Sequence, residues 1–139
     1  MKKLFYGLMF SIMTLMSSAV FAEVAVIVNP ANGNSLSDSD ISRIYLGKSK
    51  SFGDGTSIEA VNQQPDAGVT EAFNEKVVKK SSSQLKAYWS KLVFTGKGTP
   101  PKELDSDEAV LDFVAKNPGA IGYIDASKVN DSVKVIGKY

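Results

Sequence analysis

Short apolar runs alternate with apolar positions at helical spacing along most of the chain. Residues 24–28 read Val-Ala-Val-Ile-Val without a polar break, which is typical of a strand buried on both faces. Residues 58–61 and 120–124 predict two further strands of the same sheet, and residues 133–136 predict a last strand at an edge. Because strand and helix signals alternate, we expect an α/β domain with a mostly parallel sheet flanked by helices.

Four segments between these strands predict amphipathic helices. The first begins at Ser37, which forms a capping-box pattern with Asp40, and it ends before Gly47. The fourth begins in residues 105–108, three of which are acidic. We expect Trp89, on the third helix, to pack in the core. The apolar positions of the four segments are Ile41, Ile44 and Tyr45; Val69, Phe73 and Val77; Leu85, Tyr88, Trp89, Leu92 and Val93; and Ala109, Val110, Phe113 and Val114.

The turn at residues 117–124 joins the fourth helix to a strand. Pro118 cannot continue a helix, and Gly119 tolerates the positive φ that a change of direction requires. Gly122 lies inside the predicted strand and has no side chain to pack. We therefore expect another backbone or a ligand to approach Gly122 closely.

Residues 1–22 have the pattern of a secretory signal peptide. Lys2 and Lys3 precede an apolar stretch, and Ala22 occupies the predicted cleavage position. A membrane-spanning anchor is the alternative, but the apolar stretch is short and is interrupted by small polar residues. We expect cleavage after Ala22, no membrane anchor afterwards, and a single periplasmic domain of 139 − 22 = 117 residues, spanning residues 23–139.

The composition excludes several classes of chemistry. The chain has no Cys and no His, so disulfides, thiol catalysis, a Ser-His-Asp triad and histidine metal sites are excluded. Asp38 and Asp40 fit charges favoured in a first helical turn better than a metal site. We expect no enzyme activity, no cofactor and no metal.

The net charge points to no polyanionic partner. Without the two signal-peptide lysines, the charge is (16 − 2) − 15 = −1. A value so close to zero does not indicate binding to nucleic acid or to an anionic membrane.

The junction at residues 61–69 is the candidate ligand site, because ligands of α/β folds bind at the carboxyl ends of strands. The backbone amides of Gly68 and Val69, together with the helix dipole, form a corner that can bind an anion without any side chain. The alternative is an ordinary strand-to-helix turn that binds nothing.

Two segments resemble the phosphate-binding proteins of ABC transporters. Residues 36–48, Leu-Ser-Asp-Ser-Asp-Ile-Ser-Arg-Ile-Tyr-Leu-Gly-Lys, resemble the family segment L-S-x-x-x-L-x-x-I-F-L-G-K, and residues 117–124 are similar to T-P-G-A-I-G-Y-V. Tyr88-Trp89 and residues 26–30 fall in the same order as in the family. The resemblance implies one of the two lobes of a type 2 periplasmic-binding-protein fold, with phosphate or another small anion as ligand.

The segment that corresponds to the family's phosphate loop, R-S-D-G-S-G-T, departs from that pattern. Gln63 replaces the Arg, Pro65 the Asp, Ala67 the Ser and Val69 the Thr, whereas Gly68 is kept. The guanidinium of the Arg and the hydroxyls of the Ser and Thr at positions 67 and 69 are therefore lost. The candidate ligand-binding residues are Gln63, Gln64, Ala67, Gly68, Val69 and Thr70.

Two functions fit this resemblance. The protein is either a solute binder or an accessory module whose exposed lobe face binds another periplasmic or membrane protein. We expect a monomer in isolation, and weak binding of any protein partner through a polar surface. The polar residues expected to share that face are Asn29, Asn32, Asn34, Asn62, Gln63 and Gln64.

Overall fold

The computed structural model describes residues 23–139. The predicted signal peptide, residues 1–22, lies outside the described residues. Within residues 23–139, no helix is both long enough and apolar enough to cross a membrane.

Strands and helices alternate along the described chain, as the hydrophobic pattern predicts. A π-helical turn, Asn74–Val78, continues the second helix, and a 3-10 turn, Ala126–Lys128, precedes the last strand. The other elements are β1 (Val24–Val28), α1 (Asp38–Tyr45), β2 (Glu59–Gln63), α2 (Gly68–Phe73), α3 (Ser82–Phe94), β3 (Lys102–Leu104), α4 (Asp107–Lys116), β4 (Ala120–Asp125) and β5 (Lys134–Lys138).

The five strands form one sheet in the order β3-β2-β4-β1-β5. β2 pairs in parallel with β3 and β4, whereas β1 pairs antiparallel with β4 and β5. Four strands therefore point in one direction, and β1 runs against them from inside the sheet. The α/β class is confirmed. The pairing is mixed, however, because the one reversed strand is central. A continuous apolar run predicts burial on both faces but gives no information on direction.

β1 contributes to both halves of the core, and all five of its residues are buried. Val24, Val26 and Val28 pack in the cluster that contains α1 and the α2 segment. Ala25 and Ile27 pack in the cluster that contains α4. Helices thus cover both faces of the sheet, and the prediction of a strand buried on both faces is confirmed.

The predicted capping box is present at α1. The Ser37 hydroxyl accepts a hydrogen bond from Asp40 N at 3.1 Å, and the Asp40 carboxylate accepts one from Ser37 N at 2.9 Å. Hydrogen bonds from Ser37, chiefly from its backbone, lower the pKa of Asp40. Capping therefore explains this acid. Among residues 23–139, no group of three or more His, Cys, Asp or Glu is arranged to hold a metal ion.

Gly119 and Gly122, in the 117–124 turn, are needed for reasons other than those expected from the sequence. Gly119 does not have a positive φ. A Cβ there would instead lie 2.2 Å from the carbonyl oxygen of Ser57. At Gly122, a Cβ would lie 2.6 Å from Val110 Cγ1 and 3.2 Å from Val61 Cγ2. The close neighbours of Gly122 are therefore side chains, and the expectation of a backbone or ligand was wrong.

The prediction that Trp89 packs in the core was also wrong, because no residue of α3 is buried. The helix lies on the edge of the domain, where Tyr88 donates a hydrogen bond to the Leu46 carbonyl at 2.6 Å. The indole of Trp89 covers Gly47, at which a Cβ would lie 2.8 Å from the ring. Of the predicted apolar stripe of α3, Leu85, Tyr88, Trp89 and Leu92 are half-buried, whereas Val93 is exposed.

Candidate functional site

The candidate site lies where β2 and β4 end. We call this region the site edge: residues 62–70, the end of β4 and the first turn of α4. Because β2 and β4 are parallel, their carboxyl ends meet there, as expected for a ligand site in an α/β fold.

The Tyr123 hydroxyl organises the site edge. It accepts a hydrogen bond from Gln63 N at 3.1 Å and donates one to Asn62 Oδ1 at 2.9 Å. It also lies 3.4 Å from Thr70 Oγ1. The ring is stacked on Phe73, with centroids 4.0 Å apart and planes inclined by 7°. The sequence assigned Tyr123 only to a buried strand, and nothing in the local pattern indicates that its hydroxyl reaches the site.

Gln63 is fixed by contacts within the fold. The residue is 4% exposed, and its side-chain amide nitrogen donates to Asp107 Oδ1 at 2.6 Å and to the Tyr123 carbonyl at 3.0 Å. Gln64 donates in the same way to Asp105 Oδ1 at 2.9 Å. Both side-chain donors predicted to contact a ligand are therefore already bonded to other residues.

The start of α2 presents backbone donors. Ala67 is the N-cap residue, and no side chain caps the helix. The Ala67 carbonyl accepts hydrogen bonds from Thr70 N and Glu71 N. The N–H groups of Gly68 and Val69 have no acceptor among the described residues. Thr70 is buried beside Tyr123. The amides of Gly68 and Val69 are thus free at this junction, and their binding of an anion stays a prediction.

An open cleft of about 810 Å³ extends from the site edge along α3. Its polar end includes Asn62, Gln63, Thr70 and Asn74, and its other end is mostly apolar. Of the described residues that line it, Lys86 and Glu103 carry charge. The sequence did not indicate the apolar contribution of Trp89, Val93, Phe94, Pro100 and Pro101.

Three asparagines expected at this face lie elsewhere. Because β1 is reversed, its carboxyl end at Val28 meets the starts of β4 and β5. Asn29 there donates to the carbonyls of Val114 and Ala115 at 2.9 and 3.0 Å, capping the end of α4. The expectation that Asn29, Asn32 and Asn34 share a face with Asn62, Gln63 and Gln64 was therefore wrong.

Two buried tyrosines, Tyr45 beside the cleft and Tyr123 at the site edge, predict loss of stability in alkali. Burial raises the pKa of Tyr45 well above the usual 10.0 and also raises the pKa of Tyr123. The unfolded chain ionises near 10.0, so this contribution to stability is complete below that pH and is lost as the pH rises above it. We expect the Tm to fall above about pH 10, as followed by circular dichroism. Ionisation of Tyr45 and Tyr123 while the protein is still folded, seen as complete tyrosinate absorbance before unfolding, would contradict the assignment.

Comparison with known proteins shows what the fold resembles. No protein-family model matches the chain, and the curated proteins give no match. An ABC-type phosphate transport receptor from Vibrio cholerae matches with a TM-score of 0.64 and 22% identity, over 84% of this chain and 46% of that one. PstS from Borrelia burgdorferi matches with a TM-score of 0.58 and 14% identity, over 84% of this chain and 48% of that one.

A third structure contains a ligand. It is a candidate phosphate ABC transporter substrate-binding protein from Clostridium perfringens with bound phosphate, at a TM-score of 0.64 and 26% identity, over 84% of this chain and 45% of that one. The chain thus spans less than half the length of these three structures. The resemblance to phosphate ABC transporter substrate-binding proteins, and the corresponding α/β fold, are confirmed.

Proposed function

We propose that the protein is an exported, periplasmic binding module that binds phosphate or another small oxyanion at the site edge. The observation that carries this proposal is its structural likeness to phosphate receptors, one of which contains phosphate. We further propose that residues 1–22 are the export signal and that residues 23–139 are the working domain. Binding is favoured over catalysis because the chain offers neither Cys nor His as a nucleophile or base.

The local donors support an anion rather than a cation. The free N–H groups of Gly68 and Val69 lie at the carboxyl end of β2, where their partial positive charge attracts an anion. Gly68 is also the one residue at which this chain keeps the residue of the family's phosphate loop.

Binding at this edge is expected to be weak. No guanidinium is present, and the carboxylates of Asp105 and Asp107 lie within hydrogen-bond distance of Gln64 and Gln63. These negative charges oppose an incoming anion. We expect a dissociation constant for inorganic phosphate of about 1 mM or above, which corresponds to about 4 kcal/mol of binding free energy.

Titration with inorganic phosphate, followed by amide NMR of the chain from Glu23, tests the proposal. We expect the resonances of Gly68, Val69 and Thr70 to shift before all others, and sulfate to act similarly. Chloride at matched ionic strength controls for general salt effects. If these three amides do not respond to phosphate or sulfate, the wild-type protein has no oxyanion site here.

Restoring the family residues at the site edge tests whether phosphate binding can be strengthened there. A Gln63→Arg/Ala67→Ser/Val69→Thr variant is expected to bind phosphate at least about tenfold more tightly, since one charge-assisted hydrogen bond contributes about 1.5–3 kcal/mol. Ala67→Ser alone is the control, because a new N-cap raises stability by about 1 kcal/mol without phosphate. No gain in the triple variant would count against the site edge as an oxyanion site.

The accessory-module function has support from different observations. Gln63 and Gln64 are already bonded to Asp107 and Asp105, and most of the cleft along α3 is apolar. These features fit a site edge that has lost its solute and contacts a protein instead. Failure of both phosphate experiments, with the fold intact, would favour this second function.

A further inference from the structure

The charges of the chain are distributed very unevenly, although their sum is small. Residues 76–102 contain seven Lys and no Asp or Glu. Two more lysines, Lys48 and Lys50, follow α1. Acids elsewhere in the chain cancel these charges in the total, so net charge alone hides a basic region.

The exposed side of α3, which borders the open cleft opposite Glu103, combines positive charge with an exposed apolar tip. At 100° per residue, Ser83, Ala87, Ser90 and Phe94 fall on one line along the helix, and all are exposed. Lys86 and Lys91 lie on opposite sides of that line. Phe94 is 92% exposed and Val93 is 54% exposed. The exposed apolar end of α3 is therefore flanked around the helix by two lysines.

A second set of lysines adjoins this helix. A shallow depression of about 690 Å³ is bordered by Lys48, Lys50 and Lys97, together with Trp89 and Val93. No carboxylate is found among the described residues that border it. We define the lysine face as Lys48, Lys50, Lys86, Lys91 and Lys97 around Val93 and Phe94. Within residues 23–139, none of these five lysines forms an ion pair.

We propose that the lysine face binds the surface of an anionic phospholipid bilayer. The lysines contact lipid phosphates, and Val93 and Phe94 enter the boundary between headgroups and acyl chains. A lysine near such a surface contributes about fivefold to the partition coefficient. An inserted apolar tip adds to this attraction, and the combination of both is what stable peripheral binding requires. This inference does not depend on oxyanion binding at the site edge.

The composition of the face favours a bilayer over an acidic protein. Protein interfaces are depleted in Lys and enriched in Arg and Tyr, whereas the charges here are all lysines.

Vesicle co-sedimentation of the chain from Glu23 tests the proposal, because this chain contains every described element and lacks the apolar residues 1–22. We expect binding to vesicles of equimolar phosphatidylglycerol and phosphatidylcholine, but not to pure phosphatidylcholine. The emission of Trp89, the one Trp of the chain, should shift to the blue on binding. High salt should release the protein.

Two double variants with the same change in charge distinguish binding through the lysine face from a general effect of net charge. Lys86→Gln/Lys91→Gln is expected to lower the partition coefficient about 25-fold, from about fivefold per lysine. Lys116→Gln/Lys128→Gln removes the same charge from lysines that are paired with Asp112 and Glu108, and it should leave binding nearly unchanged. Phe94→Ser should weaken binding without changing its salt dependence.

Three outcomes would overturn the proposal. They are no sedimentation with phosphatidylglycerol vesicles, equal losses in the two double variants, and binding to soluble polyglutamate but not to vesicles. The last result would reassign the face to an acidic macromolecule.

Discussion

Replacing Phe73 with Ala is expected to destabilise the protein by about 3–5 kcal/mol, the range for large-to-small aromatic changes in a core. Phe73 is fully buried. Its ring is stacked on Tyr123 at 4.0 Å and meets the edge of Tyr45 at a centroid distance of 4.7 Å. Removing it leaves a cavity between the α2 segment and the sheet, and it frees the ring whose hydroxyl holds Gln63 and Asn62.

Chemical denaturation, followed by circular dichroism, gives the free energy of unfolding for this test. Phe94→Ala is the matched control, since the same atoms are removed from a side chain that is 92% exposed. We expect that control to change stability by no more than about 0.5 kcal/mol. Similar costs for the two variants would mean that Phe73 is not a core residue.

Gly119→Ala should be the most damaging single-methyl change, at about 3 kcal/mol, the upper part of the range for overpacking. The added Cβ would lie 2.2 Å from the Ser57 carbonyl oxygen. That oxygen belongs to the backbone, so no side-chain rotation can relieve the contact. Gly119 cannot easily withdraw either, because its carbonyl accepts a 2.8 Å hydrogen bond from Glu59 N where β2 begins to pair with β4.

Gly33→Ala is the control for this change. A Cβ at Gly33 has nothing within 4 Å, and its φ is not positive. We expect a gain of about 0.4–1 kcal/mol, because Ala reduces the conformational entropy of the unfolded chain. Equal midpoints of denaturation for the two variants would rule out the predicted contact at Ser57.

The elements predicted correctly from the sequence are those whose signals are local. The Ser37–Asp40 capping box and the continuous run of β1 both depend on neighbouring residues. β3 was missed because Lys102 and Glu103 are exposed on a three-residue edge strand. Such a strand has no apolar face, so no hydrophobic pattern in the sequence predicts it. Its pairing with β2 is decided by distant residues.

At the candidate site, too, features set by neighbouring residues were predicted and features set by distant residues were not. The position of Gly68 and Val69 followed from the strand-to-helix junction, since that depends on neighbouring residues. The bonds from Gln63 to Asp107 and Tyr123 cross 44 and 60 positions of the chain. No local pattern reveals them, and they turn a candidate ligand residue into a link between β2, β4 and α4.

The central position of β1 also has a consequence for the order in which the chain can fold. Val24 pairs with Asp125, and Ala25 pairs with Lys138, so both partners of β1 lie near the far end of the described chain. A segment synthesised early must therefore wait for the last strands before its ladder hydrogen bonds can form. Contacts so distant along the chain slow folding. The nascent domain consequently stays unfolded for longer, which would suit the export that we propose for residues 1–22, since an exported chain crosses the membrane before it folds.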